Sequence, residues 1–154
     1  MNSSAAAEIR EAKGRDLPAL LRMMRSLAEQ PPAIPFDEGE VRAALDQFLG
    51  HADLGQAWLL WLDEKPAGYV ILTLGYSFEF RGRDAFIDEL YIEPEFRRRG
   101  LGRRALEFVE EKARASRVNA LHLEVDRGND PAMELYRRTG YENHGRHLLT
   151  KWLR

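Results

Sequence analysis

The sequence predicts an α+β fold, a mixed and mostly antiparallel central sheet with helices on both faces, and three observations carry that expectation. Residues 57–93 hold three apolar runs separated by turn residues, the pattern of an antiparallel meander. Residues 85–125 then read strand, helix, strand, which demands a parallel crossover. Amphipathic helical segments precede the meander and follow the crossover. With 154 residues, 44% hydrophobic and 31% charged, the chain suits one domain spanning 1–154 with a sizeable core.

Each element has its own local reason. Glu8 to Ala12 reads as a short strand, after which Asp16 is placed to cap a helix carrying Leu17, Leu20, Leu21, Met24 and Leu27 at helical spacing. Pro31, Pro32 and Pro35 break regular structure over 30–37 and make it a candidate mobile loop. Val41, Ala44, Leu45 and Phe48 mark a second helix ending near Gly50. Ala57 to Asp63, the turn at residues 64–68 and the run from Tyr69 to Phe80 form a hairpin, and Ala85 to Glu93 adds a third strand that stops at Pro94. Leu101, Ala105, Leu106, Val109 and Ala113 give a long helix one apolar face, and Ala120 to Val125 alternates as a strand. Asp130 and Pro131 have the form of a helix start, Gly140 that of its end, and residues 141–153 are expected to form a hairpin turning at Gly145.

Composition narrows the chemistry. Without cysteine there is no disulfide, thiolate metal site or cysteine nucleophile. Four histidines without ligand spacing leave no expected metal. No stretch of eighteen apolar residues occurs and the first residues lack a secretion signal, so the expectation is a soluble, cytoplasmic protein with no membrane partner. The net charge of −2 conceals an asymmetry. Residues 1–96 carry 9 Lys and Arg against 17 Asp and Glu, whereas residues 97–154 carry 14 against 8. An acidic half joined to a basic half suits a site where a cationic ligand meets an anionic one.

The basic half concentrates its charge at Arg97-Arg98-Arg99-Gly100-Leu101-Gly102-Arg103, between a strand end and a helix start. There the first helical N–H groups lack internal partners, the helix dipole is positive, two glycines admit a bulky anion, and arginines supply paired donors. The chemistry suits a diphosphate. No Lys-Ser or Lys-Thr follows the glycines, which excludes a Walker loop. Gly100-x-Gly102-x-x-Ala105, with Glu124 downstream, fits a loose dinucleotide fingerprint, but that motif opens the first unit of a parallel sheet and too little chain follows it here. A nucleic-acid surface would spread its basic residues over a face with stacking aromatics, so no nucleic-acid partner is expected.

Two segments go further. Ile92-Glu93-Pro94-Glu95-Phe96, followed by Arg97-x-x-Gly100-x-Gly102, resembles the acetyl-CoA-binding motif of the GCN5-related N-acetyltransferases (GNAT). Asn129-Asp130-Pro131-Ala132-Met133-Glu134-Leu135-Tyr136, followed by Gly140-Tyr141, resembles the second signature of the same family. The resemblance implies a GNAT-like sheet whose strands splay at an acetyl-CoA site, with acetyl-CoA as co-substrate and no metal. It places the backbone of Leu90, Tyr91 and Ile92 beside the acyl group and pantetheine. The amides of Arg98, Arg99, Gly100, Leu101, Gly102 and Arg103 would take the diphosphate, with Arg97 and one or two neighbours free to reach its oxygens, and Asn129, Ala132 and Tyr136 complete the cofactor contacts.

The reaction so implied is direct acetyl transfer to a primary amine, with a small cationic molecule as the expected acceptor. A peptide or protein amine and a non-catalytic acyl-CoA sensor are the alternatives. Tyr136 has the chemistry of a general acid, because a phenol of pKa about 10 can protonate a departing thiolate of pKa about 8.5. An amine of pKa about 10.4 must lose a proton before it attacks. Asp88 and Glu89 are the candidate bases. Strict alternation sends them to opposite faces and the resemblance favours Asp88, with Glu89 taking its place if a bulge shifts the register. Relatives that pair through strands or the C-terminal tail make a homodimer an open expectation.

Overall fold

A computed structural model describes residues 7–31 and 33–153. Nine regular elements appear along them, with 3-10 turns at Gly14–Asp16 and Pro94–Phe96. They run β1 (Glu8–Glu11), α1 (Leu17–Ala28), α2 (Glu38–Leu49), β2 (Gly55–Leu62), β3 (Lys65–Ser77), β4 (Gly82–Ile92), α3 (Leu101–Ala115), β5 (Ala120–Leu123) and α4 (Asp130–Arg138). The five strands make one sheet in sequential order, antiparallel except for the parallel pair of β4 and β5. The chain separates into two compact units, residues 1–124, which hold the sheet, and residues 125–154, which hold α4.

In the first unit the two faces of the sheet are covered by different helices. On one, Ala57 and Leu59 of β2, Tyr69 and Ile71 of β3 and Tyr91 of β4 share a core with Leu17, Leu20, Leu21, Met23 and Met24 of α1 and Leu45 of α2. On the other, Trp58 of β2 meets Phe108 of α3 edge to face at 5.5 Å, and α3 buries Leu101, Ala105, Leu106, Val109 and Ala113. These are the apolar stripes that the spacing predicts, because residues i, i+4 and i+8 lie on one helical face.

Several local expectations need correction. Asp16 does not cap α1; its carboxylate instead accepts the Lys13 amide at 2.8 Å and closes the preceding turn. Asp37 caps α2, accepting from the Glu40 amide at 2.9 Å. β5 ends at Leu123, two residues earlier than expected. In the second unit α4 is capped by Asn129 rather than Asp130, and the expected tail hairpin has no strands over residues 141–153. The turn is there, since Gly145 has φ +65° and its amide donates to Asn143 Oδ1 at 2.8 Å, but no strand pairing continues from it. Part of the proline loop, Pro32, lies outside the described residues.

Candidate active site

β4 supplies the centre of the site because it is paired on one side and open on the other. β5 runs beside it only from Asp84 to Ile87, so Asp88 to Ile92 have no partner in β5. The parallel pairing ends just before the residues where the resemblance places the acyl group. On the paired side the register steps from Leu72 opposite Ile87 to Ile71 opposite Glu89, which leaves Asp88 as the extra residue of a β-bulge.

That bulge overturns the strict alternation on which the two acids were expected to face opposite ways. It is the register shift that was expected to favour Glu89, but Glu89 is held by a hydrogen bond from Tyr69 while the Asp88 carboxylate is not. Glu89 now shares the face of Ile71 and Tyr69, and its Oε2 accepts the Tyr69 hydroxyl hydrogen bond at 2.7 Å. Burial raises the Glu89 carboxyl above the usual carboxylate range; the Tyr69 bond opposes the rise and the charge of Asp88 adds to it. Burial and the same two carboxylates push the Tyr69 phenol far up, so it stays a donor. Asp88 reaches solvent and makes no hydrogen bond among the described residues, yet desolvation by the surrounding chain raises its carboxyl too. The fold therefore offers a free carboxyl, Asp88, beside an anchored one, Glu89. Both are tuned upward, in the direction that suits a base working near neutral pH.

The strand then runs into the anion loop. Pro94–Phe96 form a turn that buries Phe96, and Arg97 folds back so that its Nε donates to the Ile92 carbonyl at 2.8 Å, with its guanidinium over the Tyr91 ring. Arg97 thus braces strand against loop through its Nε, its two terminal nitrogens make no hydrogen bond among the described residues, and the Ile92 carbonyl is already taken. Arg99 lies over Phe96, and Arg103 pairs with Glu107 at 2.9 Å. Arg98 and Gly100 both adopt positive φ, +61° and +77°, before α3 begins at Leu101. The first intrahelical bond runs from the Arg104 amide to the Gly100 carbonyl at 3.1 Å, so the amides of Leu101, Gly102 and Arg103 have no acceptor within the helix. This set of open amides at a positive helix end fits a diphosphate.

Gly100 owes its identity to conformation, since a Cβ there would meet no atom within 4 Å. Gly100→Ala should lose about 1–2 kcal/mol of stability through left-handed strain, readable in urea melts, and should weaken diphosphate-bearing ligands by misaligning the amides.

The second unit carries the other signature. Asn129 Oδ1 accepts the Ala132 amide at 3.3 Å, so both residues are engaged in the α4 cap and the Asn129 side-chain NH2 remains for a ligand. Tyr136 packs edge to face on Tyr141 at 5.9 Å, and burial raises its phenol above the usual value, which keeps it protonated.

Sequence reasoning missed the supporting residues. Glu93 binds Arg22 of α1 and the Tyr91 hydroxyl, the latter at 3.1 Å, tying α1 to the end of β4. Tyr69 was detectable only as a phenol inside an apolar run, whose hydroxyl must find a partner once buried. Its partner is 20 residues away and depends on the register.

A β4 that runs on past the end of β5 into a helix start with open amides, with an upshifted acid pair on the strand, fits an acyltransferase. The model of the acetyltransferase (GNAT) family matches residues 20–141, and the chain belongs to that family. It is 31% identical over 145 residues to thialysine N-epsilon-acetyltransferase of Bos taurus, an alignment covering 88% of this chain and 84% of that one. An integron cassette protein from the mobile metagenome of Cole Harbour Salt Marsh matches with a TM-score of 0.83 and 33% identity, over 95% and 90% of the two chains. An aminoglycoside N-acetyltransferase in complex with CoA shares the fold at a TM-score of 0.82 and 15% identity, over 99% of each chain. Among the described residues no helix is long and apolar enough to cross a membrane, and no group of three or more His, Asp or Glu is placed to hold a metal.

Proposed function

We propose that this acyltransferase moves the acetyl group of acetyl-CoA directly to a primary amine of a small cationic molecule. The observation that carries the reading is the bulge at Asp88, which sets an unpartnered, upshifted carboxyl on the stretch of β4 that β5 leaves open. Support for the donor comes from the open amides of Leu101, Gly102 and Arg103 and from a protein of the same fold that carries CoA. Support for the acceptor comes from the acidic first 96 residues and from a relative named for an amine of an amino-acid analogue.

In this mechanism the loop amides bind the diphosphate, and the Asn129 side-chain NH2 contacts pantetheine. A backbone N–H of Leu90, Tyr91 or Ile92 polarises the thioester carbonyl and holds its developing oxyanion. Asp88 takes the proton from the acceptor ammonium, directly or through one water, and Glu89 is held by Tyr69 as its neighbour. The amine nitrogen then forms the new C–N bond as the C–S bond breaks, and Tyr136 gives its proton to the departing sulfur. The second proton of the attacking nitrogen passes to the Tyr136 phenolate, which leaves a neutral amide and a free thiol. Without cysteine no acyl-thiol enzyme can form, which agrees with transfer inside one ternary complex. Calorimetric titration with acetyl-CoA, with NAD as control, tests the donor half. One-site binding of acetyl-CoA alone is expected, and equal binding of NAD or no binding of acetyl-CoA overturns it.

A further inference from the structure

The bulge at Asp88 has an effect beyond the base. Gly75 lies opposite Asp84, Thr73 opposite Phe86 and Ile71 opposite Glu89, so the extra residue returns Glu89 to the face that carries Asp84 and Phe86. The covered core on this face includes Tyr69, Ile71 and Tyr91 but not Phe86, which stays 38% exposed. The far end of the same strand face is therefore open, and a half-buried polar cluster sits there.

That cluster comprises Asp84, His122 of β5 and two phenylalanines. His122 Nε2 lies 3.3 Å from Asp84 Oδ2, and the imidazole stands 4.7 Å from the Phe80 ring and 5.0 Å from the Phe86 ring. The side chain of Asp84 is only 14% exposed, yet His122 is its one polar side-chain partner among the described residues, and no lysine or arginine pairs with it. A carboxylate has about four acceptor positions, so most of its capacity is unused. The other oxygen, Oδ1, overhangs Gly75, where an added Cβ would stand 2.7 Å from it. Glycine at that position leaves the carboxylate room, and the two phenylalanine rings hold its histidine partner in place.

We propose that Asp84, oriented by His122, whose ring packs against Phe80 and Phe86, is a second cation subsite that selects acceptors carrying another positive group remote from the reacting amine. This deepens the proposed amine transfer and rests on it. Four ladder steps separate Asp84 from Glu89, about 13 Å along the strand, so the subsite favours an elongated dicationic molecule over a monoamine of equal length.

The test compares diaminooctane with octylamine. In calorimetry without acetyl-CoA, the wild-type protein should bind the diamine at least tenfold more tightly. In turnover, the ratio of kcat/KM for the diamine over the monoamine should fall about tenfold in Asp84→Asn, the size of a lost charge-assisted contact. Gly75→Ala keeps the charge but displaces the carboxylate, and should lower the same ratio. Equal binding of the two amines by the wild type, or a turnover ratio untouched by both substitutions, overturns the subsite. A wild type that discriminates in calorimetry but transfers acetyl to neither amine upholds the subsite and overturns the transfer reading instead.

Discussion

Asp88→Asn should lower turnover about 100-fold or more near neutral pH, within the range by which a positioned general base accelerates proton transfer. The loss should shrink as pH rises, because the acceptor amine, of pKa about 10.4, then supplies its own free base. In the wild type the acidic limb of the pH–kcat/KM profile should lie above the usual carboxylate range, since desolvation raises Asp88. In the variant that limb should vanish. Stability offers a control whose sign is fixed. A carboxyl whose pKa is raised on folding binds its proton more tightly in the folded state, so its ionisation above the unfolded value opposes folding. Asparagine removes that opposing charge, and the melting temperature at neutral pH should hold or rise while activity falls. Glu89→Gln preserves an acceptor for the Tyr69 hydroxyl and should lose much less activity; the reverse ranking would make Glu89 the base.

The second large effect is expected of Tyr136→Phe. Removing the hydroxyl leaves the departing thiolate without its acid, and kcat should fall about 100-fold with acetyl-CoA affinity little changed, because the ring and its edge-on packing with Tyr141 remain. A thioester whose thiol leaves readily as an anion needs this acid less, so the substitution should cost least with an activated acyl-thiophenol donor. Unchanged kcat with acetyl-CoA would remove Tyr136 from the chemistry.

How far the sequence reaches depends on the range of the interaction concerned. The stripe Leu101, Ala105, Leu106, Val109, Ala113 and the position of Gly100 are local properties, and both stand in the structure as the periodicity and the helix-start logic place them. The acid pair shows the limit. Alternation assumes a regular ladder, and the bulge at Asp88 is set by how β3 and β4 meet, which no residue near Asp88 announces. The same holds for Arg97, whose Nε is drawn to the Ile92 carbonyl five residues away by the turn at Pro94–Phe96. The tail failed for a different reason. Gly145 encodes its turn locally, but a hairpin also needs partner strands, and residues 146–153 leave Leu148, Leu149, Trp152 and Leu153 exposed without pairing. The cap of α4 moved by one residue because Asn129 and Asp130 are both good capping types, and Pro131 is tolerated at either of the first helical positions.

Direct, amine-dependent acetyl transfer is the central claim, and mixing the purified protein with acetyl-CoA tests it most directly, first without and then with a small diamine, while free thiol and intact protein mass are followed. Thiol release only after the amine is added, one acetyl group gained by the amine and none by the protein, is the predicted result. Thiol release without amine, or acetylated protein formed before the amine arrives, would contradict it.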